Sequence, residues 1–128
     1  MNVQYDKKLD VLVVEISEEL SVMVYERAIQ EVLNSPSFHA DINVIYDLRN
    51  AGAVSISTDQ IRAVATRARS LSPKRGTSWK AAIVVSWVLQ YGLGRMFEFL
   101  NDGAPYQVRV FRSMEEAQVW VADATLPT

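Results

Sequence analysis

Residues 44–61 read VIYDLRNAGAVSISTDQI, and this stretch decides the fold. Val44 to Leu48 form a nearly continuous apolar run with β-branched residues, the pattern of a strand covered on both faces. A polar loop follows. From Ser57 the spacing turns helical, with Ile61, Val64, Ala65, Ala68 and Leu71 as the buried stripe and Ser72-Pro73 as the expected stop. A strand, a short loop and an amphipathic helix make the opening of a crossover in a parallel sheet.

The same alternation extends in both directions. NVQYD and DVLVVEI predict a hairpin turning near Lys7-Lys8. Tyr25, Ala28, Ile29, Val32 and Leu33 recur at helical spacing, with Ser21 as cap and Asn34-Ser35-Pro36 as the end. Beyond residue 76, WKAAIVVS predicts a second doubly covered strand. WVLQYGLGRMFEFLND predicts a helix with Leu89, Leu93, Met96, Phe97 and Leu100 inward. YQVRVF predicts the last strand, and SMEEAQVWVADA a closing helix with Ser113 and Glu116 as a capping box. The order is ββαβαβαβα. It implies one α/β domain over residues 1–128, with a mainly parallel sheet of about five strands, an antiparallel edge hairpin and four helices.

Composition narrows the function classes. Cysteine is absent, which excludes a disulfide framework, a CxxC redox pair and a thiolate nucleophile. No apolar run approaches the ~18 residues of a membrane span, and the N-terminus lacks the order of a signal peptide. A soluble, cytoplasmic domain is the expectation. Net charge is −2, but six of the 13 basic residues fall between Gln60 and Lys80, a stretch with no acidic residue. That asymmetry marks residues 60–80 as a basic surface against an acidic remainder.

With VIYDLRNAG before one helix, AAIVVS before the next and VRVFRSMEEAQVWV at the end, the chain resembles the STAS domains. The similarity is greatest to their SpoIIAA-like branch of small bacterial stand-alone domains, over roughly Asp10 to Asp123. The resemblance implies a binding function without catalysis. In the anti-sigma factor antagonists, a serine at the start of the helix after the third strand is phosphorylated by a partner kinase. The SpoIIAA-like branch also resembles lipid carriers of the CRAL-TRIO kind, which implies holding a non-polar ligand, at a membrane surface or away from one.

Each candidate residue carries two readings. Ser57 with Gln60 fits a capping box. It also occupies the position of the phosphorylated serine, with Ser55 and Thr58 as the next candidates. A phosphate there would meet free amides and a positive helix end, with Arg62 or Arg49 to pair with it. However, SIST lacks the acidic residue before the serine and the glycine after the pair. In the third predicted helix, Trp87, Tyr91, Phe97 and Phe99, with Gly92 and Gly94, form either close internal packing or the apolar wall of a ligand site or dimer contact. GLGR is not a dinucleotide fingerprint, because it lacks a third glycine and does not follow a strand directly.

The basic residues Arg62, Arg67, Arg69, Lys74 and Arg75, with Lys80 beyond them, are either a solvated face or a patch for anionic head groups. Nucleic acid is not expected, since the overall charge is negative and no reading motif is present. His39 reads as a surface histidine, and Asp47 as either a ligand-edge carboxylate or an acceptor for loop amides. No catalytic residue, metal site or cofactor is implied.

These readings converge on a non-enzymatic STAS-like domain that holds a lipid-like small molecule and contacts a membrane peripherally. The alternative is an antagonist that binds a regulatory protein under the control of serine phosphorylation. A homodimer is expected from the apolar surplus of the third predicted helix.

Overall fold

The computed structural model describes residues 1–52, 57–86, 91, 92, 94, 95, 97, 98, 101, 104 and 106–123. Five strands, β1 (Asn2–Asp6), β2 (Val11–Glu15), β3 (Asn43–Asp47), β4 (Lys80–Val84) and β5 (Gln107–Phe111), form one sheet in chain order. β1 pairs with β2 antiparallel, and the other three pairings are parallel. Three helices are delimited among the described residues: α1 (Val22–Leu33), α2 (Thr58–Arg75) and α3 (Met114–Ala122). Four were expected. Tyr91, Gly92, Gly94, Arg95, Phe97 and Glu98 are helical where the remaining one was predicted.

Sequential strand order explains the layering. Parallel crossovers that all step in one direction with one hand place their helices on one face. Period-two alternation then sorts the side chains. Leu12, Val14, Val44, Tyr46, Ala81 and Ile83 belong to one core, together with Ala28 and Val32 of α1 and Val64 and Ala65 of α2. Val11, Ile45, Ala82 and Val84 face the other way, against Ala117, Trp120 and Val121 of α3. β3 and β4 are covered on both sides, as the apolar runs predicted. Full burial of one such Val, Ile or Leu side chain contributes about 1.5–3 kcal/mol.

Caps set the helix starts. Ser21 accepts from the Val24 amide at 3.2 Å. At α2 the box is complete: Ser57 Oγ accepts from Gln60 N at 3.2 Å, and Gln60 Oε1 accepts from Ser57 N at 2.8 Å. At α3 it is altered. Ser113 Oγ accepts from Glu116 N at 3.3 Å, while its hydroxyl donates to Glu115 Oε2 at 2.9 Å.

The expected stop at Ser72-Pro73 is corrected: α2 runs on to Arg75. A proline within a helix costs one ladder bond and crowds the carbonyl four residues back, which this helix tolerates, and the chain leaves the helix at Gly76, whose φ of +112° lies in the left-handed region that ends helices. Asp41 secures this corner. Its amide donates to Arg75 O at 2.6 Å, and its Oδ1 accepts from Thr77 N and Ser78 N, each at 2.7 Å.

Candidate functional site

Parallel α/β sheets bind ligands at the carboxyl ends of their strands, where the loops diverge. Here that edge is held by a chain of backbone bonds: Ile16 N to Asp47 O at 3.0 Å, Leu48 N to Val84 O at 2.8 Å, Val85 N to Phe111 O at 2.9 Å and Gly52 N to Glu18 O at 3.0 Å. Asp47, 3% exposed, ends β3. Its carboxylate receives Arg49 Nε at 2.9 Å, Arg49 Nη2 at 2.8 Å and the Arg49 amide at 3.1 Å. The Arg49 guanidinium holds the Asp47 carboxyl below its ordinary value, ahead of the opposing effect of burial. Asp47 therefore organises its own loop, and Arg49 is committed to it. Ser86 Oγ adds a bond to Arg49 O at 3.2 Å.

The apolar part of the edge lies on the α1 and α2 side of the sheet. Leu20, Val22 and Val24 at the start of α1, with Leu48 and Tyr91, are half-buried against the core. Met23 is 81% exposed beside them in sequence. An aromatic row lies within this core: Phe97 is 5.5 Å from Tyr25, and Tyr25 stacks 6.4 Å from Tyr46, centroid to centroid. Tyr91 sits under the Arg112 guanidinium at 4.5 Å, a contact that carries a cation to the rim.

The sequence candidates separate. Phe97 is buried and Tyr91 half-buried, both against the main core. Gly94 is buried, and a Cβ there would lie 2.8 Å from Val110 Cγ2, so this glycine serves close helix-on-strand packing. Gly92 is exposed with nothing within 4 Å of such a Cβ, so no close approach depends on it. Ser57 and Thr58 are exposed at the start of α2. Ser55, Trp87, Phe99, Val88, Leu89, Leu93, Met96 and Leu100, and the side chains of Ala68 and Leu71, lie outside the described residues.

Arg62, Arg67, Arg69 and Lys74 are exposed along α2. Arg75 is not part of this patch. It is 4% exposed, its Nη2 donates to Ile42 O at 3.2 Å, and its guanidinium carbon lies 3.8 Å over the Trp79 ring. The reason is periodicity: Arg75 follows Ile61 by fourteen residues, about four turns, and so falls on the inward stripe. Lys80 leaves the patch as well. Its Nζ donates to Trp120 O at 2.8 Å and Asp123 O at 2.5 Å, clamping the end of α3.

His39 forms a separate cluster at the opposite, amino edge. Nε2 lies 2.9 and 3.0 Å from the two Asp10 oxygens, and Nδ1 lies 3.0 Å from Ala40 O. Tyr5 Oη donates to Asp10 Oδ1 at 2.7 Å. Among the described residues, no group of three or more His, Asp or Glu is placed to hold a metal ion, and no helix is long and apolar enough to cross a membrane.

A single mixed α/β sheet in sequential order, with crossover helices on one face and a closing helix on the other, is the SpoIIAA-like fold expected from the STAS-like resemblance. A crystal structure of an uncharacterized protein of the DUF3478 family from Shewanella loihica PV-4, described as having a SpoIIAA-like fold, superimposes with a TM-score of 0.57. The likeness spans 94% of this chain and 90% of that one at 16% identity. No family model matches the sequence, and no curated protein does.

Proposed function

We propose that this chain is a non-enzymatic binding domain that holds a non-polar or amphipathic small ligand and associates peripherally with an anionic membrane surface. The observation that carries the reading is the aromatic row Phe97–Tyr25–Tyr46 in the main core, against which Tyr91 is half-buried, with Met23 of the same helix as Tyr25 81% exposed. Apolar and aromatic walls with a few charged groups at the rim suit an amphipathic molecule. Arg112 over Tyr91 and the exposed Arg62, Arg67 and Lys74 supply cations for an anionic surface.

The phosphorylation-controlled alternative draws less support. Ser57 Oγ already serves the Gln60 amide, and Arg49 is held by Asp47.

Native mass spectrometry of the purified protein, followed by solvent extraction, tests the ligand reading. A co-purified apolar molecule, lost in Phe97→Ala, is the expected result. Protein that is empty as isolated and fails to take up any of a panel of hydrophobic probes would refute it.

A further inference from the structure

Arg75 is the anomaly of the interior. It is 4% exposed, and among the described residues no carboxylate forms an ion pair with it. It meets the Ile42 carbonyl, the Trp79 ring and the Tyr46 side chain. Its Nε has no hydrogen-bond partner, and neither does the indole Nε1 of Trp79, which is itself 5% exposed. The two groups are stacked layers of one assembly: guanidinium over indole at 3.8 Å, then indole over Tyr106 at 4.1 Å and 7°. Trp120 Nε1 on the far face also lacks a partner, but it carries no charge. A buried cation without a counter-charge is costly, and two adjacent buried donors without acceptors add to that cost.

Such a donor pair has a chemistry. A guanidinium offers a planar fork that matches a carboxylate, and an indole N–H adds one further neutral donor. The surroundings are aromatic. Tyr46, in contact with Arg75, stacks on Tyr25, and Tyr25 meets Phe97. The row Phe97–Tyr25–Tyr46 therefore ends beside this cation.

We propose that Arg75 and Trp79 anchor the carboxylate of a long-chain monocarboxylic acid whose tail lies along Tyr46, Tyr25 and Phe97. This rests on the apolar-ligand reading above and names its ligand class.

The test compares palmitic acid with hexadecanol, which share a sixteen-carbon chain and differ in the head group, by isothermal titration and native mass spectrometry on the full chain. The acid binds the unaltered protein about tenfold or more tighter than the alcohol, as expected where buried donors reject an analogue that cannot satisfy them. Trp79→Phe, which removes only the N–H and some ring area, narrows the preference several-fold. Arg75→Met, which keeps an unbranched chain without charge, abolishes it. Equal binding of acid and alcohol to the unaltered protein would overturn the carboxylate anchor and leave the apolar site standing. Binding of neither would overturn both. Because the comparison on the unaltered protein needs no substitution, an unfolded Arg75→Met variant does not shield the proposal.

Discussion

Both ring nitrogens of His39 face acceptors: Nε2 lies 2.9 Å from Asp10 Oδ2, while Nδ1 lies 3.0 Å from the Ala40 carbonyl. Only the doubly protonated ring donates to both. The Asp10 hydrogen bond, then the Ala40 carbonyl, raise the His39 pKa, and His39 with Tyr5 lowers that of Asp10. The signs define a window. The histidine's contribution is present below its unfolded value of about 6.5 and is lost as pH rises through the folded one. The aspartate's is present above its unfolded value of about 3.9 and is lost as pH falls through its lowered one. The link between the β1–β2 turn and the α1–β3 loop is therefore strongest in mildly acidic solution. His39 is the one histidine of the chain, so its ring proton resonance reports alone. A titration midpoint above about 6.5 that falls in Asp10→Asn is the expected outcome, and an unchanged midpoint in the variant would count against the pairing.

Asp47 and Arg49 form a pair of unequal burial, with side chains 5% and 42% exposed. Removing the arginine strands a buried carboxylate. Arg49→Ala is expected to cost about 2 kcal/mol at neutral pH, at the low end for charged hydrogen bonds because Arg49 is partly solvated. The lowered Asp47 pKa places this stability above the ordinary carboxylate range, and it is lost as pH falls through the folded value. Urea unfolding at pH 7 and pH 3 checks it: the gap between parent and variant narrows at the lower pH. A constant gap would assign the effect to packing.

Three glycines make opposed predictions. Gly76→Ala forces a side chain into φ +112°, with a Cβ 2.7 Å from the Asp41 amide nitrogen, and is expected to destabilise by about 1–3 kcal/mol. Gly94→Ala drives a Cβ against Val110, with an overpacking cost of about 1–3 kcal/mol. Gly92→Ala meets nothing and is helical, so it gains up to about 1 kcal/mol. Thermal unfolding of the three variants orders them, and a destabilised Gly92→Ala would show that this glycine has a contact of its own.

The fold was legible because its signals are local. VIYDL and AAIVV read as doubly covered strands, and the sheet covers both on two faces. Ser57 and Gln60 read as a box, and the box closes. What escaped were relations between distant segments. Asp41 caps a corner thirty-six residues away, and nothing in SPSFHAD announces it. The Asp10–His39 pair spans twenty-nine residues. Arg75 was within reach of periodicity, since it continues the stripe Ile61, Val64, Ala65. Taking Pro73 as the stop cut that stripe one turn short and left the arginine on the surface.

Ser57 separates the cap from the switch. As N-cap of an eighteen-residue helix, its replacement by alanine is expected to cost about 1 kcal/mol, and Gln60→Ala less, because it leaves the cap hydroxyl bonded to the amide of residue 60. Phosphorylation would take the hydroxyl oxygen from the Gln60 amide. Protein from its native host is therefore expected to show no phosphate on Ser57 or Thr58. Stoichiometric phosphate on Ser57 by mass spectrometry would reverse this and favour the regulatory reading.

The α2 surface offers a last measurement, on binding rather than folding. Arg62, Arg67 and Lys74 are exposed on a helix whose stretch carries no acid between Gln60 and Lys80. Each cation near an anionic bilayer contributes about 1 kcal/mol, attenuated within a Debye length of salt. Sedimentation with phosphatidylserine vesicles at low salt is expected to pellet the parent protein and to release it as salt rises. The triple substitution Arg62→Gln, Arg67→Gln, Lys74→Gln is expected to weaken binding by about two orders of magnitude, three such contributions being about 3 kcal/mol. Arg75→Met, which alters an arginine with no access to the surface, leaves pelleting unchanged. A loss in Arg75→Met about one third as large in free energy, one charge against three, would show that net charge, rather than this face, governs the association.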